Sequence, residues 1–93
     1  MRVAPHCWGS ALSQAATLQL IASLPRSPSG PFGAEPIMFE FDRGENPTRD
    51  EFLTTPIAWA HGVVQVPDGP GLGVEVDEQA VRRFALADDW QVP

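Results

Sequence analysis

The stretch VAPHCWGSALSQAATLQLIASLP, Val3 to Pro25, followed by PIMFEF, Pro36 to Phe41, decides the fold class of this 93-residue chain. Arg2 to Ala4 reads as the tail of a strand, which Pro5 closes because proline has no N–H for a ladder. His6 lies just beyond it. Gly9 to Leu24 reads as a helix, with Leu12, Ala15, Ala16, Leu18, Leu20, Ile21, Ala22 and Leu24 supplying apolar surface and Pro25 ending it. Its polar positions Ser10, Ser13, Gln14 and Thr17 form one thin stripe that fades beyond Thr17, and no charged side chain lies between Arg2 and Arg26. A helix apolar around most of its circumference belongs inside a larger body. Pro36 to Phe41 then reads as a second strand, mostly apolar as a parallel strand covered on both faces should be, with Glu40 the exception. Strand, helix, strand is a βαβ unit, a parallel pair joined by a right-handed crossover. Two parallel strands alone have two open edges and no layer over the far face, so the pattern predicts a piece of a larger α/β body.

The rest of the chain continues in short elements. Ser27 to Gly33 (SPSGPFG) reads as a loop. Asn46 before Pro47 is a helix start, an N-cap followed by proline at the first helical position, and the helix is expected to reach about Thr54 and stop before Pro56. Gly62 to Val66 and Val74 to Val76 read as brief strands around the turn PDGPGLG. Asp77 caps a last helix through about Leu86, with Arg82 and Arg83 in its C-terminal half. No internal repeat is visible, and the tail after Ala87 is expected to fray.

Composition narrows the partners. Twelve acids oppose six arginines and no lysine, and the net charge of −6 disfavours nucleic-acid phosphate. Cys7 is the one cysteine, so the chain has no internal disulfide to staple it. Arg2 is a poor basic start for a secretory signal, and Gln14, Thr17, Gln19 and Ser23 interrupt the apolar run. Together with Pro5 they also argue against a span of about 20 apolar residues, so a cytoplasmic chain with no membrane partner is expected.

Chemistry can sit where the two strands end. Parallel neighbours run roughly 4.8 Å apart and open on the same side, so His6 and Glu40 should converge at one mouth. An imidazole moves protons near neutral pH. A carboxyl sunk among Met38, Phe39 and Phe41 is expected to stay protonated and donate a hydrogen bond. Plainer readings stand beside these: His6 as a loop residue, and Glu40 as a partner of Arg43. Trp8 and Ser10, beside His6, are expected at the same mouth. Gly69, Gly71 and Gly73 read as turn residues rather than a phosphate cradle. Asn46-Pro47-Thr48 is no glycosylation site, having proline in the middle, and no pair among His6, Cys7 and His61 has zinc-ligand spacing.

With IMFEFDRGENPTRDEF (Ile37 to Phe52) and GVVQVPDGPGLGVEVDEQAVRRF (Gly62 to Phe84), the opening stretch resembles the C-terminal end of the mandelate racemase and muconate lactonizing enzyme group of the enolase superfamily. The resemblance covers Val3 to Phe84. It implies an α/β piece of an enolase-type (β/α)8 TIM barrel: the end of strand seven, helix seven, strand eight, a short helix eight and a returning tail. Residues 1–60 would be the barrel part, 61–87 the segment returning toward a capping domain, and 88–93 a frayed tail. It further implies that His6 is a general base or acid on the carbon next to a carboxylate and that Glu40 donates a hydrogen bond to that carboxylate; Trp8 is a candidate substrate contact by its place beside His6, with no role carried over from the family. The family's magnesium ion, its strand-two lysine motif and the strand-six aspartate that pairs with the histidine all depend on strands this chain does not contain. Aspartate often stands at the position of His61, so AHG is a departure. The implied activity is an acid-sugar dehydratase or racemase, a lyase or isomerase acting on hydroxy-acid or sugar-acid substrates, in a homo-oligomer. The chain alone is expected to be inactive. Two other readings are a split enzyme completed by another polypeptide and a non-catalytic acidic interaction module.

Overall fold

A computed structural model of the chain describes residues 3–25 and 37–86. The loop expected at Ser27 to Gly33, the tail after Ala87, Arg2 and Pro36 lie outside the described residues. The elements are α1 (Ala11–Ser23), α2 (Pro47–Asp50), β1 (Trp59–Ala60), β2 (Val63–Val64) and α3 (Glu78–Arg83).

Helix α1 forms where the small-residue run predicts it. It ends because Leu24, at φ −82° and ψ 143°, has already left the helical region, as the residue before a proline is biased to do. Its buried positions are Ala11, Gln14, Ala15 and Leu18, one stripe at i, i+3, i+4 and i+7. Gln14 therefore belongs to the packed face rather than to a solvated polar stripe. The opposite side stays open, with Leu20 55% exposed.

Among the described residues the expected parallel strand pair is reduced to a single bridge, His6 with Glu40, in which the Glu40 N–H donates to the Pro5 carbonyl at 3.0 Å. Pro5 offers no N–H to lengthen the ladder.

Helix α2 starts as expected, with the Asn46 side chain accepting from the Arg49 N–H and Pro47 in the first turn. It stops at Asp50, short of Thr54, because the next residues are claimed by the returning segment. The Asp77 N–H donates to the Phe52 carbonyl at 2.8 Å and the Thr54 N–H to the Glu75 carbonyl at 3.0 Å, around an antiparallel bridge between Leu53 and Val76. The strand expected at Val74 to Val76 is that bridge.

The strand expected at Gly62 to Val66 is half of a hairpin. Trp59 pairs with Val64 and Ala60 with Val63, and the Gln65 N–H extends the pairing to the Ala58 carbonyl at 2.9 Å. Its turn places His61 at φ +53° and Gly62 at φ +76°, the positive pair that a type I′ turn requires. The sequence carries no Asn-Gly or Asp-Gly there, which is why β1 was not expected.

Asp77 caps α3 as expected, its side chain accepting from the Ala80 N–H at 3.1 Å, and Arg82 and Arg83 occupy the last turn. The helix ends at Arg83, short of Leu86, and Phe84 turns edge-on to Phe52 with ring centroids 5.6 Å apart. The side-chain amide of Gln19 on α1 donates to the carbonyls of Pro67 (2.7 Å) and Leu72 (3.2 Å), which fastens the PDGPGLG turn to the helix.

The core among the described residues is small: Ala11, Ala15, Leu18, Leu53 and Ala80, with no bulky side chain fully buried. No helix among the described residues is long and apolar enough to cross a membrane.

Candidate functional site

The two residues singled out for chemistry meet. His6 and Glu40 are bridge partners, so their side chains leave the same face of the pair, and both line one open depression of about 560 Å³. Trp8, two residues after His6, stands on its wall with 75% of its surface exposed. Phe41 and Asp42 complete the lining. Ser10 is not part of it; it stands before α1 as the N-cap, where its carbonyl accepts from the Gln14 N–H at 3.1 Å. His61 is on the hairpin turn, and Cys7 is a half-buried free thiol.

Two expectations about Glu40 are corrected. Its side chain is exposed rather than sunk among Met38, Phe39 and Phe41, because among the described residues the only backbone pairing along Ile37 to Phe41 is the bridge to His6. Arg43 does not serve as its partner: the guanidinium lies 3.9 Å over the Trp59 ring, a cation–π contact.

Strand periodicity survives in the side chains. Phe39 and Phe41 meet edge-on at 6.0 Å, Phe41 meets Trp59 at 5.8 Å, and Arg43 covers Trp59, so positions 39, 41 and 43 build one aromatic face against the hairpin. Glu40 and Asp42 alternate to the mouth. Asp42 was missed from sequence, although its spacing of two from Glu40 was the available signal.

The segment after Glu40 is held by Arg49 of α2. Its guanidinium donates to the carbonyls of Asp42 (2.6 Å) and Gly44 (2.8 Å), and through Nε and an amino group to both oxygens of Asp50 (2.8 and 3.1 Å). The hydrogen bond to Asp50 raises the Arg49 pKa, and the same bond holds the Asp50 carboxyl below its ordinary value. Asn46 reaches the other way: its Nδ2 donates to the Gly9 carbonyl at 3.0 Å, three residues past His6.

Residues 1–80 match the enolase C-terminal domain-like family. The chain belongs to this family. Over 88 residues it is 43% identical to D-galactarolactone cycloisomerase of Agrobacterium fabrum, a match spanning 95% of this chain and 23% of that enzyme. It is 32% identical over 83 residues to chloromuconate cycloisomerase of Cupriavidus pinatubonensis, across 89% of this chain and 20% of the relative. A shorter match, 54% over 35 residues, joins it to muconate cycloisomerase 1-1 of Acinetobacter lwoffii and spans 38% of this chain and 9% of that protein. This member of the enolase C-terminal domain-like family thus spans less than a quarter of the length of these relatives, and its α/β elements are those of a piece of a TIM-barrel enzyme. Among its described residues no group of three or more His, Cys, Asp or Glu side chains could hold a metal ion, so the described residues offer no site that fits magnesium.

Proposed function

We propose that this chain supplies the last strands and returning tail of a cycloisomerase-type barrel, and that His6 moves a proton at the carbon next to a substrate carboxylate. The observation that carries this reading is the His6–Glu40 bridge, which sets an imidazole and a carboxyl side by side at one depression. In the barrel the bridge joins the ends of strands seven and eight, α1 is helix seven, α2 is helix eight, and residues 61–87 return toward the capping domain. The substrate class is a sugar acid or its lactone, the kind of molecule named in the Agrobacterium relative.

His6 takes the proton from the carbon beside the carboxylate, and the electron pair moves onto that carboxylate as an enolate. The Glu40 carboxyl is the hydrogen-bond donor to the oxygen where this charge builds, an interaction stronger in the transition state than in the substrate. Collapse of the enolate with breakage of a ring C–O bond opens a lactone, and the protonated imidazole returns a proton, so no atom is gained or lost. Trp8 offers an indole face to the substrate. Magnesium, if the assembled enzyme uses it, is held by residues other than those described in this chain, and the chain alone turns over no substrate.

The test is a chimera in which this chain replaces the matching 88-residue segment of the Agrobacterium cycloisomerase. Turnover of galactarolactone is expected in the chimera and not in the 93-residue chain alone. His6→Asn should lower kcat by a factor of about 10² to 10⁴, the usual worth of a general acid–base group. Glu40→Ala should cost about 10² to 10³, and Glu40→Gln clearly less because an amide still donates. An active chimera indifferent to His6→Asn removes the proposal.

A further inference from the structure

The four-residue helix α2 presents two side chains that act in opposite directions. Asn46 grips the segment that carries His6, through the Gly9 carbonyl at 3.0 Å. Arg49 grips the segment that carries Glu40, through the carbonyls of Asp42 at 2.6 Å and Gly44 at 2.8 Å. The two are joined to each other, since the Arg49 N–H donates to Asn46 Oδ1 at 3.2 Å. Bidentate contact with Asp50 fixes the plane of the guanidinium, so its fork has one orientation toward the loop. Between the segments themselves the Glu40 N–H to Pro5 carbonyl bond is the one backbone link among the described residues.

We infer that Asn46 and Arg49 are positioning residues, a bracket that sets the spacing of His6 from Glu40. Neither lines the depression; Asn46 acts through the Gly9 backbone, three residues past His6, and Arg49 through the backbone of Gly44 and of Asp42, which is itself part of the lining. The catalytic consequence rests on the functional reading above, while the bracket itself does not. An error of about 1 Å between two reacting groups can cost on the order of 10²-fold in rate, which is why so short a helix matters at this place.

Asn46→Asp separates positioning from simple helix capping. Aspartate caps α2 as well as asparagine does, but it has no N–H for the Gly9 carbonyl. Arg49→Lys keeps the charge and loses the fork. Amide hydrogen exchange is read by NMR on the chimera, with this segment isotope-labelled. The Glu40 amide should exchange about tenfold faster in both variants, the worth of one hydrogen bond, while the α1 amides keep their rates. In the chimera, kcat should fall about 10- to 100-fold with KM changed less than about twofold. A Glu40 amide that exchanges equally fast in all three chains overturns the bracket, and so does equal acceleration throughout α1, which marks general destabilisation. Faster Glu40 exchange in variants of a chimera that is itself inactive upholds the bracket and removes the functional reading instead.

Discussion

His61 is the one non-glycine residue with positive φ among those described, at +53°. An L-residue there costs roughly 1 to 2 kcal/mol unless its short polar side chain bonds locally, and asparagine and aspartate bear it best. The preference for aspartate at this place, which the family resemblance implies, fits this backbone conformation. His61→Asn is expected to stabilise the hairpin by about 0.5 kcal/mol, seen as slower exchange of the Gln65 amide that bonds Ala58. Faster exchange would show that the imidazole itself supports the turn. Glu40 teaches a related lesson at the same scale. Its apolar neighbours in sequence suggested burial, yet they are partners along the chain, and burial depends on partners across it.

Among the elements, the PDGPGLG turn shows where glycine is required and why. Gly73 sits at φ +77°, and a Cβ placed on it would come 2.7 Å from the Pro67 Cβ and 2.9 Å from the Pro67 carbonyl carbon. Gly71, at φ +62°, faces open space. Gly73→Ala should therefore cost at least about 2 kcal/mol and loosen the Gln19 bonds to Pro67 and Leu72, whereas Gly71→Ala should cost only about 1 kcal/mol. Urea midpoints of the two variants in the chimera check the order, and equal midpoints contradict it. Helices were legible in sequence wherever a local signal exists: Pro25 ending α1, Asn46-Pro47 opening α2, Asp77 opening α3. The lengths of α2 and α3 were not legible. Residues 52–54 are helical by local preference, and only the ladder from Glu75 to Asp77 removes them. Strand β1 escaped for the same reason, its partner being supplied by a turn with an uncommon residue.

For the whole molecule, the decisive fact is the size of the core. Among the described residues, three alanines and two leucines are the buried apolar ones, while Trp8 and Met38 stand 75% and 69% exposed. Burying a large apolar side chain is worth about 1.5 to 3 kcal/mol, so the core among the described residues is small for a self-sufficient domain of this length. The isolated chain should bind a hydrophobic dye such as ANS and melt without a sharp transition, and the chimera should do neither. Cooperative melting of the lone monomer would instead favour an independent interaction module.

The sequence by itself determined the caps of α2 and α3, the family and the convergence of His6 with Glu40, because each follows from neighbours along the chain or from the parallel sense of a crossover. Tertiary structure alone decided that Asp42 joins the mouth, that Asn46 and Arg49 hold the segments on either side of it, and that Glu40 is open to water. Those outcomes depend on which groups meet across long separations. Hydrogen-bond partners and burial are properties of such meetings, and no run of residues carries them.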